Sequence, residues 1–113
     1  MTRLLPSGAP APGHAIFDVV GDDHEPVGYL WIGPDTSDDA GAWWVWDIEI
    51  DDDKRGRGFG RTAMILAGDY ARQQGAHTLG LNVFGFNVAA RNLYQSIGYE
   101  PTAIQMRKRL DQD

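Results

Sequence analysis

"AWWVWDIEIDDDKRGRGFGRTAMILAGDYARQQG", residues 42–75, runs from a strand through a glycine-rich turn into a helix, and that succession decides the fold class. In its first nine residues, alternation predicts one face made of Trp44, Trp46, Ile48 and Ile50 and another made of Trp43, Val45, Asp47 and Glu49. The tryptophans read as core, since aromatic residues of a central strand dominate burial. From Phe59 to Gln74 the spacing becomes helical. Ala63, Leu66, Ala67, Tyr70 and Ala71 fall along one side, and Gly75 stands where a helix end wants left-handed backbone. Between strand and helix come Asp51, Asp52 and Asp53, then Lys54, Arg55, Arg57 and Arg61 interleaved with Gly56, Gly58 and Gly60.

Upstream, "HAIFDVV" and "VGYLWIG" are β-type runs joined by "GDDHEP", whose Gly, Asp and Pro supply turn chemistry, so an antiparallel hairpin is expected. Residues 1–13 are rich in Pro, Gly and Ala without periodicity and read as a flexible tail. Downstream, "HTLGLNVF" reads as a strand. Asn87 is a good N-cap for a helix striped by Ala90, Leu93, Tyr94 and Ile97, and Gly98 stops it. "YEPTAIQMRKRL" reads as a last strand. The order β-β-β-α-β-α-β, with a right-handed crossover in its middle β-α-β unit, predicts an α/β fold. Its sheet is expected to be mixed and mainly antiparallel, with a central parallel unit. Residues 14–113 are read as a single domain.

Composition narrows the function. The net charge of −6 argues against a general nucleic-acid binder, whose phosphate contacts demand excess Lys and Arg. No apolar run approaches the roughly 20 residues of a membrane span. The absence of cysteine removes thiolate nucleophiles and sulfur-based zinc sites and suits a reducing compartment, so a cytoplasmic location is expected. His14, His24 and His77 lack metal-ligand spacing, and no metal is expected.

A glycine-rich turn ahead of a helix aims free backbone N–H groups and the positive end of the helix dipole at one point, which attracts phosphate. "GFGRT" lacks the Lys and Ser or Thr of a Walker loop. "GFGRTA" matches the dinucleotide fingerprint, but "LGLNV" one strand later offers no carboxylate for a ribose. A third pattern, Arg, two residues, Gly, one residue, Gly, is met by Arg55, Gly58 and Gly60. With "LNVFGFNVAARNLYQSIGY", residues 81–99, the chain resembles the GNAT superfamily of acetyl-coenzyme A-dependent N-acetyltransferases from about residue 14 onward.

That resemblance implies a set of roles. Backbone groups at Ile48, Glu49 and Ile50 would bond the pantetheine arm in a gap between splayed strands. The amides of Arg55, Gly56, Arg57, Gly58, Phe59, Gly60 and Arg61 would hold the pyrophosphate of acetyl-coenzyme A, with Asn87 contacting the coenzyme or the loop. Tyr94 matches the tyrosine near the coenzyme sulfur and is read as the proton donor to the departing thiolate. Glu49 is read as the base, with Asp47 as alternate. Some relatives carry a glutamate where this chain has Asn82, and an amide cannot serve as a base.

With no covalent nucleophile in view, direct transfer of acetyl to a primary amine of a small molecule or peptide is expected, a coenzyme A-binding module with little catalysis being the alternative. The resemblance also implies a strand and two helices where this sequence has only residues 1–13. The chain is then a fragment or a minimal member, and its uncovered aromatic strands predict a homodimer.

Overall fold

In a computed structural model, which describes residues 1–111, five strands lie in chain order across one sheet: β1 Arg3–Gly8, β2 Ala15–Val20, β3 Pro26–Pro34, β4 Ala42–Ile50 and β5 Thr78–Gly80. The first three pairings are antiparallel and β4–β5 is parallel, so the parallel unit lies at one edge of the sheet. A 3₁₀ turn over Asp52–Lys54 leads to helix α1, Phe59–Gln73, and helix α2 spans Val88–Ser96.

The core forms between one sheet face and α1. Val19, Leu30, Ile32, Ala63, Met64 and Ala67 are buried there, and Ile48, Ile50 and Phe59 pack at its margin. The α1 stripe uses the expected Ala63, Ala67 and Ala71 together with Met64. Small alanines let the helix approach the sheet closely, and branched strand residues fill the space between.

Three expectations need correction. Residues 1–13 carry β1, which pairs with β2 in a register that sets Leu4 opposite Val19. Leu4 reaches the core, while Pro6 sits on an edge strand, where its missing N–H breaks no ladder bond. The strand expected over residues 77–84 spans only Thr78–Gly80, and its last residue lacks a side chain where the Trp44 ring lies against it. The strand expected over residues 99–110 does not form. Pro101 lacks a donor, and no neighbouring strand meets this segment.

The face assignment of β4 also changes. Trp31 is opposite Asp47 but Ile32 is opposite Val45, so Trp46 is an extra residue in a β-bulge. A bulge shifts the alternation by one position. Trp43 and Val45 therefore face the core together with Ile48 and Ile50. Trp46 is 36% exposed and stacks on Trp31 at 6.0 Å, so only Trp43 of the β4 tryptophans is buried core.

Candidate functional site

The turn between β4 and α1 is built from unusual backbone. Gly56 and Gly58 have φ of +78° and +85°, a region that side-chain-bearing residues adopt at a cost, and Gly58 is the N-cap of α1. Among the described residues, the amides of Gly56, Arg57, Gly58, Phe59, Gly60 and Arg61 have no protein acceptor. The first satisfied donor is Thr62, whose N–H reaches the Gly58 carbonyl at 3.1 Å. Six consecutive donors on an exposed turn at the positive end of a 15-residue helix fit an anion.

The cations around this turn divide into two groups. Arg55 is tied down: its Nε donates to the Ile50 carbonyl at 3.0 Å, and its guanidinium pairs with Asp52 at 2.9 Å. Arg61 donates to Ser96 Oγ at 2.8 Å and so links α1 to α2. Arg57 has no ion-pair partner among the described residues and is exposed.

Beside the turn, β4 has an open edge. β5 pairs with Ala42, Trp43 and Trp44 only, so among the described residues no strand pairs with the β5 side of β4 from Val45 onward. A Cβ on Gly28 would collide with the Glu49 carbonyl oxygen, which shows that this carbonyl points toward β3. Backbone direction alternates along a strand, so Ile48 and Ile50 turn their polar groups to the open side. Glu49 thus contributes its side chain, and not its backbone, to any site at this edge.

Helix α2 closes the arrangement. A Cβ on Gly60 would lie 3.7 Å from Ile50 Cγ1 and 3.9 Å from Leu93 Cδ2, so the start of α1 sits between the end of β4 and α2. Asn87 caps α2 as expected, its Oδ1 accepting from the Ala90 amide at 3.2 Å, which leaves its amide nitrogen available. Tyr94 is half-buried and meets the Tyr99 ring edge-on at 5.9 Å. Burial raises the Tyr94 pKa, and burial followed by the neighbouring Tyr94 pushes Tyr99 up to about 12.

Glu49 belongs to a different group. On the sheet face away from α1, Tyr29 donates to Asp47 Oδ2 at 2.6 Å and lies 3.5 Å from Glu49 Oε2. The hydrogen bond to Asp47, then partial burial, pushes Tyr29 up to about 12 and keeps it a donor at neutral pH. Sequence reading missed Tyr29, because only the β3–β4 register, which sets Tyr29 opposite Glu49, reveals the partnership. Glu49 therefore meets Tyr29 while Tyr94 meets Tyr99, and the two expected catalytic residues have no direct contact.

A cleft of about 290 Å³ lies on the other side of the turn, with Lys54 and Arg57 facing Asp22, Asp23 and Glu25. Its charges are of both signs, and Ile48, Asn87 and Tyr94 are not among its lining residues, so it is separate from the open edge.

The model of the acetyltransferase (GNAT) family matches residues 5–99. The uncharacterized N-acetyltransferase YycN of Bacillus subtilis (strain 168) is 31% identical over 109 residues, covering 96% of this chain and 70% of its own length. The streptothricin acetyltransferase of Streptomyces lavendulae is 34% identical over 87 residues, or 74% of this chain and 43% of its own. The crystal structure of YycN, a putative acetyltransferase, superposes with a TM-score of 0.81 at 28% identity, covering 91% of this chain and 66% of that one. The chain thus spans about two thirds of the YycN chain in that structure.

Proposed function

The chain belongs to the GNAT acetyltransferase family, and from that premise we propose that it transfers acetyl from acetyl-coenzyme A to a primary amine of a small molecule or peptide, directly and within a ternary complex. The observation that carries this reading is the run of six unclaimed amides from Gly56 to Arg61 next to the open edge of β4. Each N–H to a charged oxygen contributes about 1.5–3 kcal/mol, against roughly 0.3–1 kcal/mol for the helix dipole, so the amides dominate the hold on a diphosphate. Arg57 adds an exposed counter-charge. Ile48 and Ile50 hold the amide-bearing arm along β4, with Arg55 already occupying the Ile50 carbonyl. The Asn87 amide nitrogen adds a donor from α2.

When bound, acetyl-coenzyme A supplies an acyl group activated as a thioester. Glu49 takes the proton from the acceptor amine, directly or through water. It is preferred to Asp47, whose Oδ2 already accepts from Tyr29. The Tyr94 hydroxyl gives a proton or hydrogen bond to the sulfur that leaves, and its raised pKa keeps that proton in place at neutral pH. The paired carboxylates at Asp47 and Glu49 favour a cationic acceptor. A cytoplasmic location accompanies this reading, as does a homodimer. No helix among the described residues is long and apolar enough to cross a membrane.

The test is thiol release from acetyl-coenzyme A with a panel of primary amines, comparing the parent chain with Tyr94→Phe. Amine-dependent release that falls in the variant while coenzyme binding persists supports the reading. Binding without turnover on every amine makes the chain a coenzyme-binding module instead.

A further inference from the structure

We propose that Arg61 and Ser96 are positioning residues for Tyr94: the hydrogen bond between their side chains fixes helix α2 against the start of α1 and so sets where the Tyr94 hydroxyl stands relative to the amides at Gly56–Arg61. This deepens the acetyl-transfer reading and rests on it for the role of Tyr94.

Helix α2 is held lightly. It has no buried residue, whereas α1 buries Ala63, Met64, Ala67 and Ala71. Among the described residues, no ion pair and no backbone hydrogen bond joins α2 to another element. Its side-chain hydrogen bonds are mostly its own: Asn87 accepts from the Ala90 amide, Arg91 donates to the Gly85 carbonyl and Ser96 donates to the Leu93 carbonyl, all within the helix or the loop that enters it. The bond from Arg61 to Ser96, at 2.8 Å, is the one that reaches another element. Packing of the partly buried Tyr94, Ile97 and Tyr99 supplies the rest of the attachment. Apolar packing is non-directional, so it holds the helix near the core without fixing its rotation.

The hydrogen bond is placed to set that rotation. Leu93 and Ser96, three positions apart, are neighbours on one helix face. A Cβ on Gly60 would come within 3.9 Å of Leu93 Cδ2, so this face meets the first turn of α1. Tyr94 follows Leu93 by one residue, about 100° round the helix. Any roll of α2 about the Leu93–Ser96 ridge therefore swings the Tyr94 ring. Ser96 is prepared as an acceptor: its Oγ gives its proton to the Leu93 carbonyl at 2.6 Å, which leaves lone pairs for the guanidinium. A charged donor makes the bond stronger than a neutral pair would. Arg61 thus joins the two halves of the site through one residue, its amide in the run at the turn and its guanidinium on α2.

The test compares three variants of the whole chain. Ser96→Ala removes the acceptor and, alanine being the better helix former, should leave circular dichroism unchanged. Arg61→Met removes the guanidinium but keeps the amide, and Ser96→Thr keeps the hydroxyl. In chain labelled with ¹³Cζ-tyrosine, Tyr94 is expected to ionise at lower pH in Ser96→Ala and Arg61→Met than in the parent, because α2 loosens and water reaches a ring whose burial holds its pKa up. Ser96→Thr should match the parent, and Tyr29, on the far sheet face, should not move in any variant. With acetyl-coenzyme A and the best amine of the panel, Ser96→Ala is expected to lower kcat about tenfold while KM for the coenzyme stays within about twofold, since a misplacement of about 1 Å can cost as much as 10²-fold. In a Tyr94→Phe background the same substitution should add no further loss. A Tyr94 titration that is the same in the parent, Ser96→Ala and Arg61→Met overturns the proposal, as does a kcat loss that persists undiminished in Tyr94→Phe. The titration uses neither coenzyme nor amine, so absence of turnover on every amine fails the acetyl-transfer reading while the titration still decides the tether.

Discussion

The Tyr29 hydroxyl donates to Asp47 Oδ2 at 2.6 Å across the β3–β4 pair and stops 3.5 Å short of Glu49 Oε2, so two neighbouring carboxylates on one sheet face are unequal. Asp47 takes the short bond from the phenol; Glu49 takes only the long one and is the less committed of the two. Glu49→Gln is expected to lower kcat/KM by about 10²- to 10⁴-fold, the usual contribution of a general base. Asp47→Asn should have the smaller effect. Steady-state kinetics on the best amine of the panel decide the matter, and equal losses would place the base elsewhere.

The same hydrogen bond sets an alkaline signature. Tyr29 holds its proton up to about 12, against an ordinary value of 10.0. The folded state therefore binds more protons than the unfolded state between about pH 10 and 12. Stability from this group is fully present below 10 and is lost as pH rises through 12. Absorbance titration of the phenols should show Tyr29 and Tyr99 ionising late, with Tyr29→Phe removing one late step and Asp47→Asn moving it earlier.

Gly58→Ala separates folding from binding. Its φ of +85° makes alanine cost roughly 1–2 kcal/mol, while the added Cβ meets no protein atom within 4 Å. The variant should fold with a modestly lower Tm yet lose at least about tenfold in coenzyme affinity, because an anion bound to the amides needs that space. Gly68→Ala is the control. Inside α1 and without neighbours, it should gain about 1 kcal/mol and leave affinity unchanged.

Gly28→Ala tests the β3–β4 contact. A Cβ there collides with the Glu49 carbonyl oxygen and comes within 2.9 Å of Ile50 Cα, both of them backbone that a rotamer change cannot move. Destabilisation of about 3 kcal/mol is expected in denaturant titration, with Glu49 displaced as a consequence. A neutral result would mean that β4 yields easily at this end.

What was legible in the sequence was local. The strand, turn and helix at residues 42–73, the Asn87 cap and the stop at Gly98 each depend on residues within one turn of one another, and all three are present. What stayed hidden depends on pairing between distant segments. The Trp46 bulge is visible only once Trp31 and Ile32 are registered against β4, and it reverses the face on which Trp43 lies. Strand β1 was masked by its Pro and Gly, which an edge strand tolerates. Residues 99–110 have the composition of a strand, but composition does not supply the neighbour that a ladder needs.

The claim on which the account rests is that the amides from Gly56 to Arg61 hold a diphosphate. Titrating ¹⁵N-labelled chain with acetyl-coenzyme A while recording amide shifts tests it most directly. The account predicts that these six resonances move most and saturate together with the ³¹P signals of the diphosphate. Saturable binding that leaves the six unmoved, or no binding at all, would contradict it.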